Sequence, residues 1–301
     1  MIVVKPRRIE PGETIGIIAP AGPVLPSELQ SGIDDLESFG YNVVVSPHLY
    51  DAQGYLAGDD EARLQDLHAM FGNKAIHAII CARGGYGVLR LLDKIDYTFI
   101  REHPKILVGY SDITALLLAI FKKSGLVTFH GPVVTDMSKN ERRNLKFLLD
   151  MISLEKKTTF DLSGGRTLIP GKATGSLLGG NLSLISHLTG TSFMPSLKGG
   201  ILFVEDRGEA PYRIDRMLTH LRLSGLLDDA EGIIAGQFED CGDPTVIDNL
   251  LVDTCSDLNI PIFSGMPIGH GLTNLTLPIG LEASLDTETT TLSIMEAGVS
   301  A

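Results

Sequence analysis

Residues 105–121 read KILVGYSDITALLLAIF. Ile106 to Val108 form a short apolar run, and Ala115 to Phe121 form a longer one. The first run suits a buried strand, and the second suits a buried helix that follows it directly. Tyr110, Ser111 and Asp112 stand at the join, a hydroxyl and a carboxylate inside otherwise apolar sequence.

The same alternation extends in both directions. TIGIIAP (14–20), NVVVS (42–46), AIHAIICA (75–82) and GLVTFHG (125–131) read as further strands. Amphipathic stretches at 26–39, 59–72, 87–101 and 112–124 read as the helices between them, with another over 137–151. Strands that are apolar throughout and alternate with helices predict a parallel sheet covered on both faces, an α/β fold. APAGP, ARGGYG, GYSD and FHGP each follow a predicted strand. Ligands of open parallel sheets bind at the carboxyl ends of strands. Glycine, serine, histidine and arginine therefore collect on the edge where a site belongs.

At 301 residues the chain exceeds one typical core, which predicts two domains. The polar, turn-rich stretch 154–174 marks the boundary: an N-terminal domain over 1–155, a linker over 156–172 and a C-terminal domain over 173–301. The second half starts again with a helix at 181–190, a strand at 200–206, a helix at 211–223, a strand at 232–238, a helix at 245–257 and a strand at 260–265. Its Thr-rich tail alternates apolar and polar residues, the pattern of antiparallel strands.

A formal net charge of −12 repels phosphate backbones, so nucleic acid is not an expected partner. Three cysteines without a CxxC pair argue for a reducing compartment. No signal-peptide order and no apolar run of membrane-spanning length is present, which predicts a cytoplasmic chain with no membrane partner. GYG at 85–87 lacks the third glycine of a dinucleotide loop, because Arg90 stands there. SGGRTLIPGKAT departs from a phosphate loop in spacing and in Ala173. The eight histidines show no metal-ligand spacing, so neither a metal nor another cofactor is expected.

Ser111 has two readings. It can cap the following helix, or it can be a nucleophile on a sharp strand-to-helix turn, facing the unpaired amides of a helix start. The elbow G-x-S-x-G is half met, with Gly109 present and Ile113 in the last position. A serine nucleophile needs a base and an orienter. Glu205 and Asp206 end a predicted strand, and His270 lies between two glycines. His130 is a rival base and Cys81 a rival nucleophile, since both also end predicted strands.

GIIAPAGPV, ARGGYGVLRLL, LVGYSDITALL, FHGPV, GGNLSLISHLTGT, FVEDRGEAPYRIDRMLTHLRLSG and PIGHGLTNLTLPIG, in this order, resemble the serine LD-carboxypeptidases of murein recycling. That family also includes the microcin C7 immunity peptidases. The resemblance implies a flavodoxin-like N-terminal domain similar to class I glutamine amidotransferases, and a smaller β-rich α+β C-terminal domain. It implies a triad of Ser111, Glu205 and His270, with an oxyanion hole from the amides of Asp112 and Gly85. Under it, His130 becomes a pocket residue. A carboxypeptidase must recognise a free carboxylate, and Arg83 is the candidate cation on position alone, with a structural ion pair as its alternative reading; Gly84 beside it is the other expected substrate-binding residue of this loop. The implied substrate is a cytoplasmic muropeptide tetrapeptide, cut to release terminal D-alanine, and the implied assembly is a homodimer. A peptidyl-adenylate toxin is the alternative substrate, and a non-catalytic peptide-binding module the alternative from another class. With no tryptophan and seven tyrosines, the sequence offers little aromatic platform for adenine, which favours the muropeptide.

Overall fold

The structure, a computed structural model, describes residues 2–137 and 142–301. It divides into two compact units. The first comprises Met1–Glu155, Leu275–Pro278 and Gly298–Ala301; the second comprises Lys156–Asn274 and Ile279–Ala297.

In the first unit, strands and helices alternate as β1 (Thr14–Ile18), α1 (Pro26–Ser38), β2 (Asn42–Val45), α2 (Asp60–Gly72), β3 (Ile76–Cys81), α3 (Tyr97–Glu102), β4 (Ile106–Gly109), α4 (Thr114–Ser124), β5 (Thr128–His130), α5 (Val134–Met137) and α6 (Arg142–Ser153). Residues 138–141, at the start of the helix expected over 137–151, lie outside the described residues. The helix expected over 87–101 is instead a 3-10 turn, Val88–Arg90, followed by α3. The Asp96 carboxylate accepts the Phe99 amide and starts α3 afresh, as a short polar side chain does at a helix N-cap.

The second unit holds β6 (Thr158–Asp161), β7 (Arg166–Ile169), β8 (Lys172–Asn181), α7 (Leu182–Leu188), β9 (Gly200–Arg207), α8 (Pro211–Leu223), β10 (Ala230–Glu239), α9 (Pro244–Cys255) and β11 (Ile262–Ser264). The chain then forms β12 (Leu277–Ile279), β13 (Glu282–Asp286) and β14 (Thr291–Ile294). The expected linker over 156–172 is therefore corrected. It contains β6 and β7, which pair with β14 and β11. Asp161 of β6 pairs with Thr291 and Arg166 of β7 with Ser264, far along the chain, so their local polar sequence reads as loop.

The first sheet runs β12-β5-β4-β3-β1-β2. Its β1 to β5 pairings are parallel, and their 2-1-3-4-5 order is that of the flavodoxin-like fold. β12, expected among the antiparallel tail strands, extends this sheet beside β5. The second sheet runs β6-β14-β13-β8-β9-β10-β11-β7. Its β8 to β11 are parallel neighbours joined through α7, α8 and α9, and antiparallel strands flank them. Among the described residues, no helix is long and apolar enough to cross a membrane.

Candidate active site

β4 delivers Ser111 to the carboxyl edge of the first sheet. All four residues of β4 are buried, and Leu116, Leu117, Leu118 and Ile120 of α4 are fully buried. Ser111 between them has φ +62°. A left-handed conformation costs a non-glycine residue about 1–2 kcal/mol. Each fully buried leucine or isoleucine contributes about 1.5–3 kcal/mol, so the packing of β4 and α4 outweighs the strain and holds the sharp turn. Among the described residues, no side-chain hydrogen bond caps the 3-10 turn Ser111–Ile113 or the start of α4. Gly109 makes the turn possible, since a Cβ there would lie 2.7 Å from Cγ2 of Ile113.

The loop after β3 lies against this turn. A Cβ on Gly84 would fall 2.8 Å from the Ser111 Cβ and 2.9 Å from its Oγ. Only a glycine backbone approaches the hydroxyl this closely. The Gly22 amide donates to the Gly84 carbonyl at 3.1 Å, and Gly85 continues at φ +118°. Beyond it, the Val88 amide donates to Asp112 Oδ2 at 2.9 Å. Burial pushes the Asp112 carboxyl up to about 6, against the Val88 and Gly87 amides and the charge of Arg63. The loop is thus fastened on both sides of Tyr86, with Gly84 on Ser111 and Val88 on Asp112.

The other sequence candidates in this unit fall differently. Arg83 is partly buried, and its Nη1 donates to the Pro23 carbonyl at 3.0 Å. His130, expected to line a pocket, is fully buried at the end of β5. Its ring meets Tyr110 edge-on at 6.0 Å, so it supports the residue before Ser111 from beneath. The Tyr110 hydroxyl donates to Asp136 Oδ2 at 2.5 Å. Cys81 is fully buried, and burial pushes its thiol far up, which removes the thiolate a nucleophile requires. Tyr55 and Tyr86 stand edge to face at 5.4 Å, both exposed. Tyr86 on this loop and Tyr55, between β2 and α2, thus form an aromatic surface that a bare count of aromatic residues does not register.

In the second unit, Glu205 and Asp206 lie near the carboxyl end of β9, both buried. Glu205 Oε2 and His270 Nδ1 are 2.6 Å apart. The carboxylate side chain is fully buried, and the ring is 12% exposed. Burial drives the imidazole pKa down, but the hydrogen bond and charge of Glu205 outweigh it and hold His270 above its ordinary value. The short contact assigns the proton to Nδ1 and leaves Nε2 as the nitrogen that takes up another. Gly269, at φ +103°, permits the approach: a Cβ there would lie 2.5 Å from Glu205 Oε2. Its amide donates to Oδ1 of buried Asn274 at 2.9 Å, which fixes the loop that carries the histidine.

Asp206, weighed in the sequence only as a neighbour of Glu205, has a structural part. It accepts from Asn181 Nδ2 at 2.9 Å, and from the Ser183 amide and hydroxyl at 2.9 and 2.7 Å. Asn181 also caps α7 by accepting the Leu184 amide. The asparagine of GGNLS carried a capping signal that points to this network. Among the described residues, no group of three or more His, Cys, Asp or Glu is placed to hold a metal ion.

A strained serine beside a glycine-rich loop and a buried carboxylate–imidazole pair are parts of hydrolase chemistry. Residues 15–131 match the model of the LD-carboxypeptidase N-terminal domain, and residues 174–285 match that of its C-terminal domain. The chain belongs to the LD-carboxypeptidase family, and it is a serine carboxypeptidase. It is 41% identical to a probable murein peptide carboxypeptidase of Bacillus subtilis, over 98% of this chain and 95% of that one. An MccF-like protein from Bacillus anthracis superposes with a TM-score of 0.91 at 28% identity, covering 97% of this chain and 99% of that one. A muramoyltetrapeptide carboxypeptidase from Oxalobacter formigenes superposes with a TM-score of 0.83 at 33% identity, covering 93% and 98%.

Proposed function

We propose that the chain hydrolyses the L,D-peptide bond of muropeptide tetrapeptides and releases terminal D-alanine. Ser111 Oγ attacks the scissile carbonyl carbon while His270 Nε2 takes its proton. The carbonyl π bond becomes an oxyanion, met by the amides of Asp112 and Gly85. Each such donor contributes about 3–4 kcal/mol to lowering the barrier. Collapse of the adduct breaks the C–N bond, and the imidazolium returns its proton to the leaving amine. Water, deprotonated by the same imidazole, then cleaves the acyl ester and restores the Ser111 hydroxyl.

The observation that carries this reading is the buried 2.6 Å contact between Glu205 and His270. Such a pair holds one tautomer and stabilises the imidazolium that forms in acyl transfer. A module that only bound peptide would have no use for it. The names of the Bacillus subtilis and Oxalobacter formigenes relatives support the substrate class. A homodimer and a cytoplasmic location belong to the same reading. The test is release of free D-alanine from a tetrapeptide, with Ser111→Ala and His270→Ala as controls. Normal turnover by Ser111→Ala would overturn the assignment.

Cleavage of a peptidyl-adenylate is the second reading. The likeness to the MccF-like protein and the exposed Tyr55–Tyr86 pair favour it. Comparing kcat/KM on a tetrapeptide and on a peptidyl-adenylate separates the two.

A further inference from the structure

A cleft of about 570 Å³ lies between α7 and α8 in the second unit. None of its side chains enters the chemistry above. Its walls include Arg213, Arg216, Tyr212, His187, Ser186 and His220. Arg213 bonds Glu209 Oε2 at 3.3 Å, so the acid in the cleft wall is matched by one guanidinium. Arg216 makes no ion pair among the described residues, and its guanidinium lies 5.5 Å from the centre of the Tyr212 ring. Tyr212 itself is 58% exposed. The hollow thus carries surplus positive charge on a chain whose formal net charge is −12. Such a local reversal of sign concentrates anions.

Its place in the fold relates the cleft to the end of β9, which carries Glu205. α7 follows β8 and α8 follows β9, so the first turns of both helices stand at the carboxyl ends of parallel strands, where ligands of such sheets gather. Ser183, on the cleft wall, donates its hydroxyl to Asp206, the residue after Glu205. Arg213 and Arg216 lie in the first two turns of α8, at its positive end.

We propose that this cleft is a subsite for a carboxylate of the peptide substrate remote from the scissile bond, with Arg216 and Arg213 as its donors. The proposal rests on the muropeptide reading, because a murein stem carries a carboxylate on its γ-linked glutamate as well as the terminal one. A guanidinium–carboxylate contact is among the stronger hydrogen-bonding arrangements, worth roughly tenfold or more in affinity. Both arginines are on an exposed helix face, so their replacement spares the core.

The experiment compares stem tetrapeptides whose glutamate α-carboxylate is free or amidated. With the free form, Arg213→Ala/Arg216→Ala should raise KM about tenfold and leave kcat within twofold. With the amidated form, the same variant should match the wild type. Arg216→Lys should recover part of the loss. Calorimetric titration of the two stems into Ser111→Ala, with and without the arginine substitutions, measures binding without turnover. A selective loss for the free stem in that titration supports the subsite even if the wild type releases no D-alanine, which would defeat only the reaction assigned above. Equal loss on both stems, no loss on either, or a changed sedimentation coefficient of the arginine variant would overturn the proposal, the last by assigning the surface to self-association.

Discussion

Glu205→Gln tests the carboxylate–imidazole pair without changing its size. Wild-type Oε2 accepts from His270 Nδ1 at 2.6 Å, with the carboxylate fully buried. A hydrogen bond to a charged group contributes about 1.5–3 kcal/mol, and a neutral one about 0.5–1.5. Losing the charge alone therefore weakens imidazolium stabilisation by about 1–1.5 kcal/mol, roughly tenfold in rate. The amide adds a second fault. Turned with its NH₂ toward Nδ1, it stabilises the tautomer whose Nε2 already carries hydrogen, a fault that costs up to about 10⁴ in a related triad. We expect kcat to fall by about 10²–10⁴, with KM nearly unchanged. The pH profile supplies an independent sign. Burial lowers the His270 pKa, and Glu205 more than reverses that. The wild-type acid limb of kcat/KM should therefore lie above the ordinary histidine value of about 6.5. In the variant burial and the charge of Arg207 are opposed only by the weaker effect of Asp206, and the limb should move to lower pH. D-alanine release followed from pH 5 to 9 reads both effects, and a thermal melt confirms folding. A folded variant within threefold of wild type, with its acid limb unmoved, would refute the role of the pair.

Gly84→Ala should abolish measurable D-alanine release, because its methyl would lie 2.9 Å from Ser111 Oγ; a circular dichroism spectrum like the wild type would locate the defect at the nucleophile. Asp112 is held near 6, above its ordinary value of 3.8, mainly by burial. Its contribution to stability is thus full below pH 4 and is lost as pH rises through 6, by up to about 3 kcal/mol. Urea unfolding of Asp112→Asn at pH 4 and pH 7 should lack that part of the decline. Cys81→Ala should keep full activity, and native protein should resist alkylation at Cys81, since the thiol is fully buried; loss of turnover with retained folding would return Cys81 to the site.

The parallel sheet was legible because β3 and β4 are almost entirely apolar and their neighbours are helical at regular intervals. Both depend on local pattern. Glu205 and His270 were legible as residue types at strand and loop ends, but not as a bonded pair, because 65 positions separate them. The positive φ of Ser111 was hidden too, since left-handed backbone usually announces itself through glycine or asparagine. Here packing of β4 and α4 imposes it on serine. His130 misled for the opposite reason. Histidine at a strand end reads as accessible, yet β12, supplied from residues 277–279, continues the sheet beside β5.

That late strand bears on how the molecule comes off the ribosome. When residue 155 emerges, the first sheet still lacks β12, and the N-terminal segment still lacks Ser300, whose amide and carbonyl bond Pro6 and Arg8. Nascent chain spanning the first 155 residues therefore waits, with an open β5 edge, until residues 277–300 have been made. A gene fragment ending at that boundary would leave the same edge open for good, a ready seam for aggregation.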